Sequence, residues 1–266
     1  MKKLYFGAFL VFLLNVLPIH ATEYITSAEV NGTPLGDAFY ENGYTYVPLR
    51  RLLAVLDENF SLSWERETKC AVGTVGGHFL TVKIGSHSFF LDGVEYKAPQ
   101  ALFIQDGATY VPLRTAAEAL GLAVRYDGSR ASAVAEGALL PPRYTSGELD
   151  LLAHLIRAES EGECIAGQVA VGNVVLNRVA SPCFASSVEA VINERINGYY
   201  QFTPVENGSI RRSPDARARI AAVMALSGFT AVGEALYFFD PRYSAGTWIT
   251  SSCRYLTEIG CHRFYC

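Results

Sequence analysis

Glu159 is the side chain with the most chemistry to offer. It lies seven residues after Leu152 and three after Ile156, so on a helix the three share one face. A carboxylate on the apolar side of a helix, close to its end, loses hydration and holds its proton more tightly. Raised to roughly 6, such an acid stays protonated near neutral pH and can donate to a leaving oxygen. Cleavage of a glycosidic bond needs an acid of this kind at the bond. A purely structural glutamate, tied to Arg157, Arg178 or a backbone amide, would show the same spacing. No second acid is framed comparably. Glu161 and Glu163 face different sides of any helix or turn, and Asp240 precedes Pro241 and suits a turn.

The elements that must hold Glu159 can be read around it. Thr145 and Glu148 form a capping box for a helix from Ser146. A second helix is predicted from about Ala166 to Val179, ending before Ser181-Pro182. A third opens at Ser186 with Glu189 three later and carries Val188, Val191, Ile192 and Ile196. A fourth starts at Ser213-Pro214 and stops at Gly228. "YYQFTPVENGSI" reads as strand and turn, "EALYFFD" as a strand ended by Pro241, and "IGCHRFYC" as a final strand.

The run "LIRAESEGECIAGQVAVGNVVLNRVASPCF", followed in order by "QFTPVENGSI", "ALYFFDP" and "IGCHRFY", resembles the SleB-type, spore-cortex-lytic family of cell wall hydrolases from about Leu151 to Tyr265. The resemblance implies a lysozyme-like or lytic-transglycosylase-like fold, mainly α with a small antiparallel sheet. It implies that one glutamate protonates the bond between N-acetylmuramic acid and N-acetylglucosamine, after which the sugar's C6 hydroxyl closes a 1,6-anhydro ring. Such chemistry needs only the one acid and no cofactor. Glu159 takes that role. Gln201 and Thr203, on one side of a strand, are carried over as hydrogen-bonding partners for the sugar. Phe202 and Tyr237 are carried over as a stacking wall, Asn177 as an orienter of Glu159, and His262 as a substrate-positioning residue. Glu163 is expected to cap the next helix. Cys261 and Thr203 stand where the family more often shows Asn or Gly, and Ser.

The first half has a different organisation. "GYTYVPLRRLLAVL" from Gly43 returns as "GATYVPLRTAAEALGL" from Gly107, an offset of 64 residues. In each copy a β-prone segment meets a proline and then an amphipathic helix. Between them, Gly85-Ser86 and Asp92-Gly93 mark turns. This pattern resembles the copper amine oxidase N-terminal-like domain of exported proteins, from roughly Glu29 to Glu136. The resemblance implies a stalk or surface-association module and no copper. His78 and His87 are the histidines there, expected as exposed strand residues without a supporting acid cluster.

The expected organisation is therefore α+β in two domains. Residues 1–21 form a signal peptide, with Lys2 and Lys3 before an apolar run. Residues 22–137 form the repeat-built, β-rich domain, 138–146 a linker containing Pro141 and Pro142, and 147–266 the hydrolase domain. No stable membrane span is expected after signal cleavage, and the protein is expected to be secreted, to the cell wall or spore envelope, with peptidoglycan as its partner. The net charge of −4 is shared by both halves and gives no basic footprint for nucleic acid. Six cysteines in an exported chain suggest disulfides, in any of the possible pairings. Cys253, Cys261, His262 and Cys266 lack the spacing of a zinc site, so no metal is expected. The rival readings are a muramidase, an amidase cutting the stem peptide, and a non-catalytic wall-binding protein.

Overall fold

The two TYVPLR copies take the same course. Each is a strand, Tyr44–Pro48 or Ala108–Pro112, that passes at its proline straight into a helix, α1 (Leu49–Leu56) or α2 (Leu113–Ala119). The prolines hold φ at −63° and offer no donor, so the strand ladder stops there and the helix begins. The two strands pair antiparallel about Val47 and Val111. This places the copies at the centre of a five-stranded sheet, with Phe39–Glu41 and Tyr24–Ile25 on one side and Phe103–Gln105 on the other. The computed structural model describes residues 24–25, 27–127 and 132–266. The expected signal peptide lies outside the described residues.

A second five-stranded sheet is an antiparallel meander of Ser61–Glu65, Cys70–Val75, His78–Lys83, Ser88–Leu91 and Val94–Lys97. A third joins Ala123–Asp127, Ser132–Glu136, Ser27–Val30 and Thr33–Pro34, the middle two in parallel. The helices α1 and α2 and the inner faces of all three sheets enclose one apolar core.

The second half is built on three helices. They are α3 (Ser146–Ser160), α4 (Ile165–Ala180) and, after the short α5 (Val188–Ile192) and α6 (Thr203–Asn207), α7 (Ala216–Ser227). A last short helix, α8 (Thr247–Ser252), precedes the closing hairpin. Strand Tyr237–Phe239 and strand Tyr255–Ile259 flank His262–Tyr265 in a three-stranded antiparallel sheet. The capping box at Thr145 and Glu148 is formed in both directions.

Helix α7 explains how the halves meet. Its Ala218, Ala221, Ala222 and Ala225 are buried, and such small side chains permit close approach on several sides at once. On one side lie α3 and α4; on the other lies the meander sheet, whose Cys70, Val72, Phe79 and Phe90 join Leu152, Val169, Ala222 and Leu226 in one core. Ser227 donates to Thr81 (2.8 Å) inside this seam, and the Gly93 amide donates to the Ser227 carbonyl (2.8 Å). Gly228 ends α7 at φ 102°, and any Cβ there would lie 2.8 Å from the Gly93 backbone. A shared core replaces the picture of a stalk joined to the hydrolase half only by a linker.

Several expectations are corrected. His78 is buried, not exposed: Nδ1 lies 2.7 Å from Asp92 and Nε2 lies 2.8 Å from the Leu140 carbonyl. An acid does support it, since Asp92 also accepts from the Phe79 and Arg143 amides. The segment "QFTPV" is not a strand; Pro204, in the first turn of α6, presets helical φ and overrides the β-prone Phe and Val. Gln201 and Thr203 therefore sit before and at the start of a helix. Ile196 belongs to a two-stranded ribbon (Arg195–Ile196 with Tyr199–Tyr200), and the caps of α5 and α7 are Ser187 and Asp215. The six thiols stand unpaired. Cys70 is sealed in the core, and Cys164 and Cys183 flank opposite ends of α4, roughly 24 Å of helix apart.

Candidate active site

A cleft of about 500 Å³ opens where α3 ends. Its walls are the turn after α3, the Gln201–Thr203 segment, and the strand-to-loop stretch from Phe238 to Ser244, with His262 on the closing sheet. Four carboxylates line it: Glu159, Glu161, Glu163 and Asp240.

Three of the four are engaged. Glu161 pairs with the buried Arg157 (2.9 Å). Glu163 accepts from the Cys261 amide at 3.2 and 3.3 Å; it ties the last hairpin to the α3–α4 turn instead of capping α4, and a Cβ at Gly260 (φ 60°) would displace its carboxylate. Asp240 accepts the Arg242 guanidinium at two oxygens and the Arg242 amide, and these bonds hold its carboxyl down to about 2.

Glu159 is different. It sits in the last turn of α3, half-buried, and among the described residues no hydrogen bond or ion pair reaches its carboxylate. Burial pushes its pKa up to about 7, with the Arg178 guanidinium opposing the rise. The acid is thus protonated in a substantial fraction of molecules near neutral pH.

Arg178, near the end of α4, is buried. It gives Nε to the Leu236 carbonyl (2.8 Å) and lies against the rings of Phe184, Phe202 and Tyr237, 5.1 to 5.4 Å from their centroids. Its Nη1 and the Glu194 Oε2 are buried without partners. Burial lowers the arginine's own proton affinity, while Tyr237, Glu194 and Glu159 raise it. The sequence reading admitted Arg178 only as a structural tie. The available signal was a cation inside the mostly apolar "VAVGNVVLNRVA".

Of the other expected site residues, Gln201, Phe202, Thr203 and His262 line the same cleft as Glu159. Phe202 is buried, so it forms the floor under the site. His262 is buried with Nδ1 unpartnered, its ring edge-on to Phe238 at 5.2 Å, and burial lowers its pKa. Tyr237 and Asn177 lie outside the cleft. Tyr237 stacks edge-on against Trp248. Asn177 gives its amide to the Gly233 and Ala235 carbonyls (2.7 and 2.9 Å), which commits both amide hydrogens to the loop after α7 and leaves none to donate to Glu159.

One residue of the first half reaches this region. Cys164, at the N-cap of α4, provides no side-chain cap. Glu67 supplies it, accepting the Ile165 amide (3.1 Å) while paired with Arg217 on α7. No sequence spacing could have linked Glu67 to a helix nearly a hundred residues away. Among the described residues no group of three or more His, Cys, Asp or Glu side chains is arranged to hold a metal ion, and no helix is long and apolar enough to cross a membrane.

Comparison with known proteins bears on this arrangement. The family described as Cell Wall Hydrolase matches residues 162–265, starting three residues past Glu159, and the Copper amine oxidase N-terminal domain family matches 29–134. Cell wall hydrolase CwlJ of Halalkalibacterium halodurans is 36% identical over 105 residues, which cover 37% of this chain and 71% of that protein. The chain belongs to the cell wall hydrolase family. The spore cortex-lytic enzyme of Bacillus subtilis, a relative, is 37% identical over 130 residues, covering 49% of this chain and 41% of that enzyme. That of Bacillus cereus is 36% identical over 129 residues, 48% of each chain. The chain thus spans about half the length, or less, of the spore cortex-lytic enzymes it matches. Among solved structures, the catalytic domain of the germination-specific lytic transglycosylase SleB from Bacillus anthracis is 35% identical, with 48% of this chain and 100% of that chain covered, at a TM-score of 0.43.

Proposed function

We propose that this protein cleaves the glycan strands of peptidoglycan between N-acetylmuramic acid and N-acetylglucosamine, as a lytic transglycosylase with Glu159 as its acid. The observation that carries this reading is the contrast inside the cleft: three carboxylates are engaged, and Glu159 is desolvated, unpartnered and raised to about 7. The names of the relatives, spore cortex-lytic enzyme and lytic transglycosylase, agree with it.

Protonated Glu159 gives its proton to the glycosidic oxygen as the bond to the muramic anomeric carbon breaks, and the leaving sugar departs as an alcohol. Positive charge develops on the muramic ring, and the Arg178 cation stabilises the carboxylate left on Glu159. That carboxylate then takes the proton of the sugar's own C6 hydroxyl as its oxygen bonds to the anomeric carbon. The 1,6-anhydro product forms, and Glu159 regains its proton with no second acid and no water consumed. The engagement of Glu161, Glu163 and Asp240 favours this route over a hydrolase that needs a free second carboxylate.

Gln201 and Thr203 are assigned to hydrogen bonds with the substrate and His262 to its positioning. The second half is read as a lysozyme-like domain and the first as two related units. The expected site of action is outside the cell, at the wall or the spore envelope. The test is mass spectrometry of soluble products from cortex and vegetative wall, beside Glu159→Gln. Anhydromuramic ends from the wild type alone support the proposal. Reducing ends make the protein a muramidase, and no cleavage of either substrate leaves a binding protein.

A further inference from the structure

The related copies in the first half create two related grooves, and one of them has been left open. In each groove the hairpin tip of one copy meets the arginine at the second position of the other copy's helix. Gly43, Tyr44 and Thr45 lie beside Arg114 in one, and Gly107, Ala108 and Thr109 lie beside Arg50 in the other. Both tips are two-residue turns with positive φ, Asn42-Gly43 and Asp106-Gly107. The grooves differ in their walls: Val124, Tyr126 and Ala133 line the first, and Leu62, Trp64 and Ile104 line the second. The Tyr44 groove has about 150 Å³ of free volume and the Ala108 groove about 460 Å³.

The open groove has the chemistry of a sugar subsite. Trp64 is 46% exposed along one wall and Ile104 44% along the other. Two large apolar side chains lining one concave site form the kind of patch that ligand pockets present. Around them stand the Thr109 hydroxyl and the Asp106 carboxylate, for which no hydrogen bond is formed among the described residues. Arg50 is already committed, to the Leu62 carbonyl and the face of Phe60. A pyranose matches this pattern, since its C–H face packs on an indole while its hydroxyls reach polar groups at the rim. A second cavity of about 590 Å³ lies at the same corner and shares Arg50, Asp106 and Ala108 with the groove.

We propose that this groove, with Trp64 as its platform, is a second glycan-binding site, distant in sequence from Glu159. That the glycan is an N-acetylated wall polymer rests on the activity proposed above; the saccharide class rests on the groove. Holding a strand at two places raises its local concentration at the cleft without any new contact there.

The experiment uses the full chain carrying Glu159→Gln, so that ligand is not consumed, and Trp248→Phe, so that Trp64 is the sole tryptophan. Soluble β-1,4-linked N-acetylglucosamine oligomers are titrated while Trp64 emission is followed. A saturable shift is expected, with affinity falling on the order of tenfold when Thr109→Tyr, beside its ladder partner Ile104, fills the groove. Trp64→Ala is expected to weaken sedimentation with insoluble peptidoglycan to a similar degree. With Glu159 intact, Thr109→Tyr should leave cleavage of short soluble fragments unchanged. An emission that does not respond, or responds equally with Thr109→Tyr, overturns the proposal. A response to free stem peptides and none to glycan overturns the saccharide assignment. Because Trp64 reports binding and not turnover, a failed cleavage assay and an empty groove give separate results.

Discussion

Two desolvated acids, Asp92 and Glu159, show how the same residue class is put to opposite uses. Asp92 lies in the seam between the halves and receives the Phe79 amide, the Arg143 amide and the His78 ring. These bonds outweigh its desolvation and hold its pKa below the ordinary value. Glu159 lies in the cleft, receives no such bond, and is raised. Burial alone therefore does not mark a functional acid. Burial without hydrogen bonds leaves the group where either protonation state is within reach, which is what the proposed role of Glu159 requires. The cations follow suit. His78 faces acceptors at both ring nitrogens and is complete only with both protons, whereas Arg178 keeps its buried Nη1 unpartnered.

If this contrast is right, the largest effect belongs to Glu159→Gln. Glycan cleavage should fall by about three orders of magnitude, while the melting temperature stays the same or rises, since a desolvated acid becomes a neutral amide. A matching loss of stability would place Glu159 with Asp92. The converse change, Asp92→Ala, should cost about 3 kcal/mol in denaturant unfolding because it strands His78, with cleavage per folded molecule unaltered. Next in size is the pH dependence of cleavage. An acid must be protonated to donate, so the wild-type rate should fall as pH rises through about 7. Arg178→Met removes the cation that favours the carboxylate, so this alkaline limb should move to higher pH. A lower rate with an unmoved limb would make Arg178 merely structural. The smallest effect concerns stability against pH. The raised His78 pKa contributes stability in full below its unfolded value, about 6.5, and loses it as pH rises through the folded value. The lowered Asp92 pKa contributes above about 3.9 and loses it as pH falls through the folded value. Unfolding of the wild type should thus be most resistant between those limits, and His78→Gln should flatten the alkaline slope.

Much of the candidate site was legible because it depends on local pattern. The capping box at Thr145, the apolar face leading to Glu159, and the strand before Pro241 each need only a few adjacent residues to be recognised. What was misread depends on distant contacts. Asn177 was assigned to Glu159 by its helix, yet its partners arrive from the loop after α7. Glu67 had no local signal at all. The seam did leave a trace that went unused. "CAVGTV" and "HFLTVK" are buried at nearly every position, not at alternate ones, and a strand without period-two polarity is covered on both faces. His78, inside such a run, could not have been an exposed residue.

The seam also changes what a broken chain would do. Leu140 and Arg143 of the connecting segment are tied to the Leu120 carbonyl and to Asp92, but the larger attachment is the apolar face shared by α7 and the meander sheet. A protease that nicked 138–146 would cut the covalent link and leave that attachment in place. Expressed apart, each piece would bare a sticky face; mixed, the pieces should co-elute and regain cleavage, as a complementing pair and not as beads on a string.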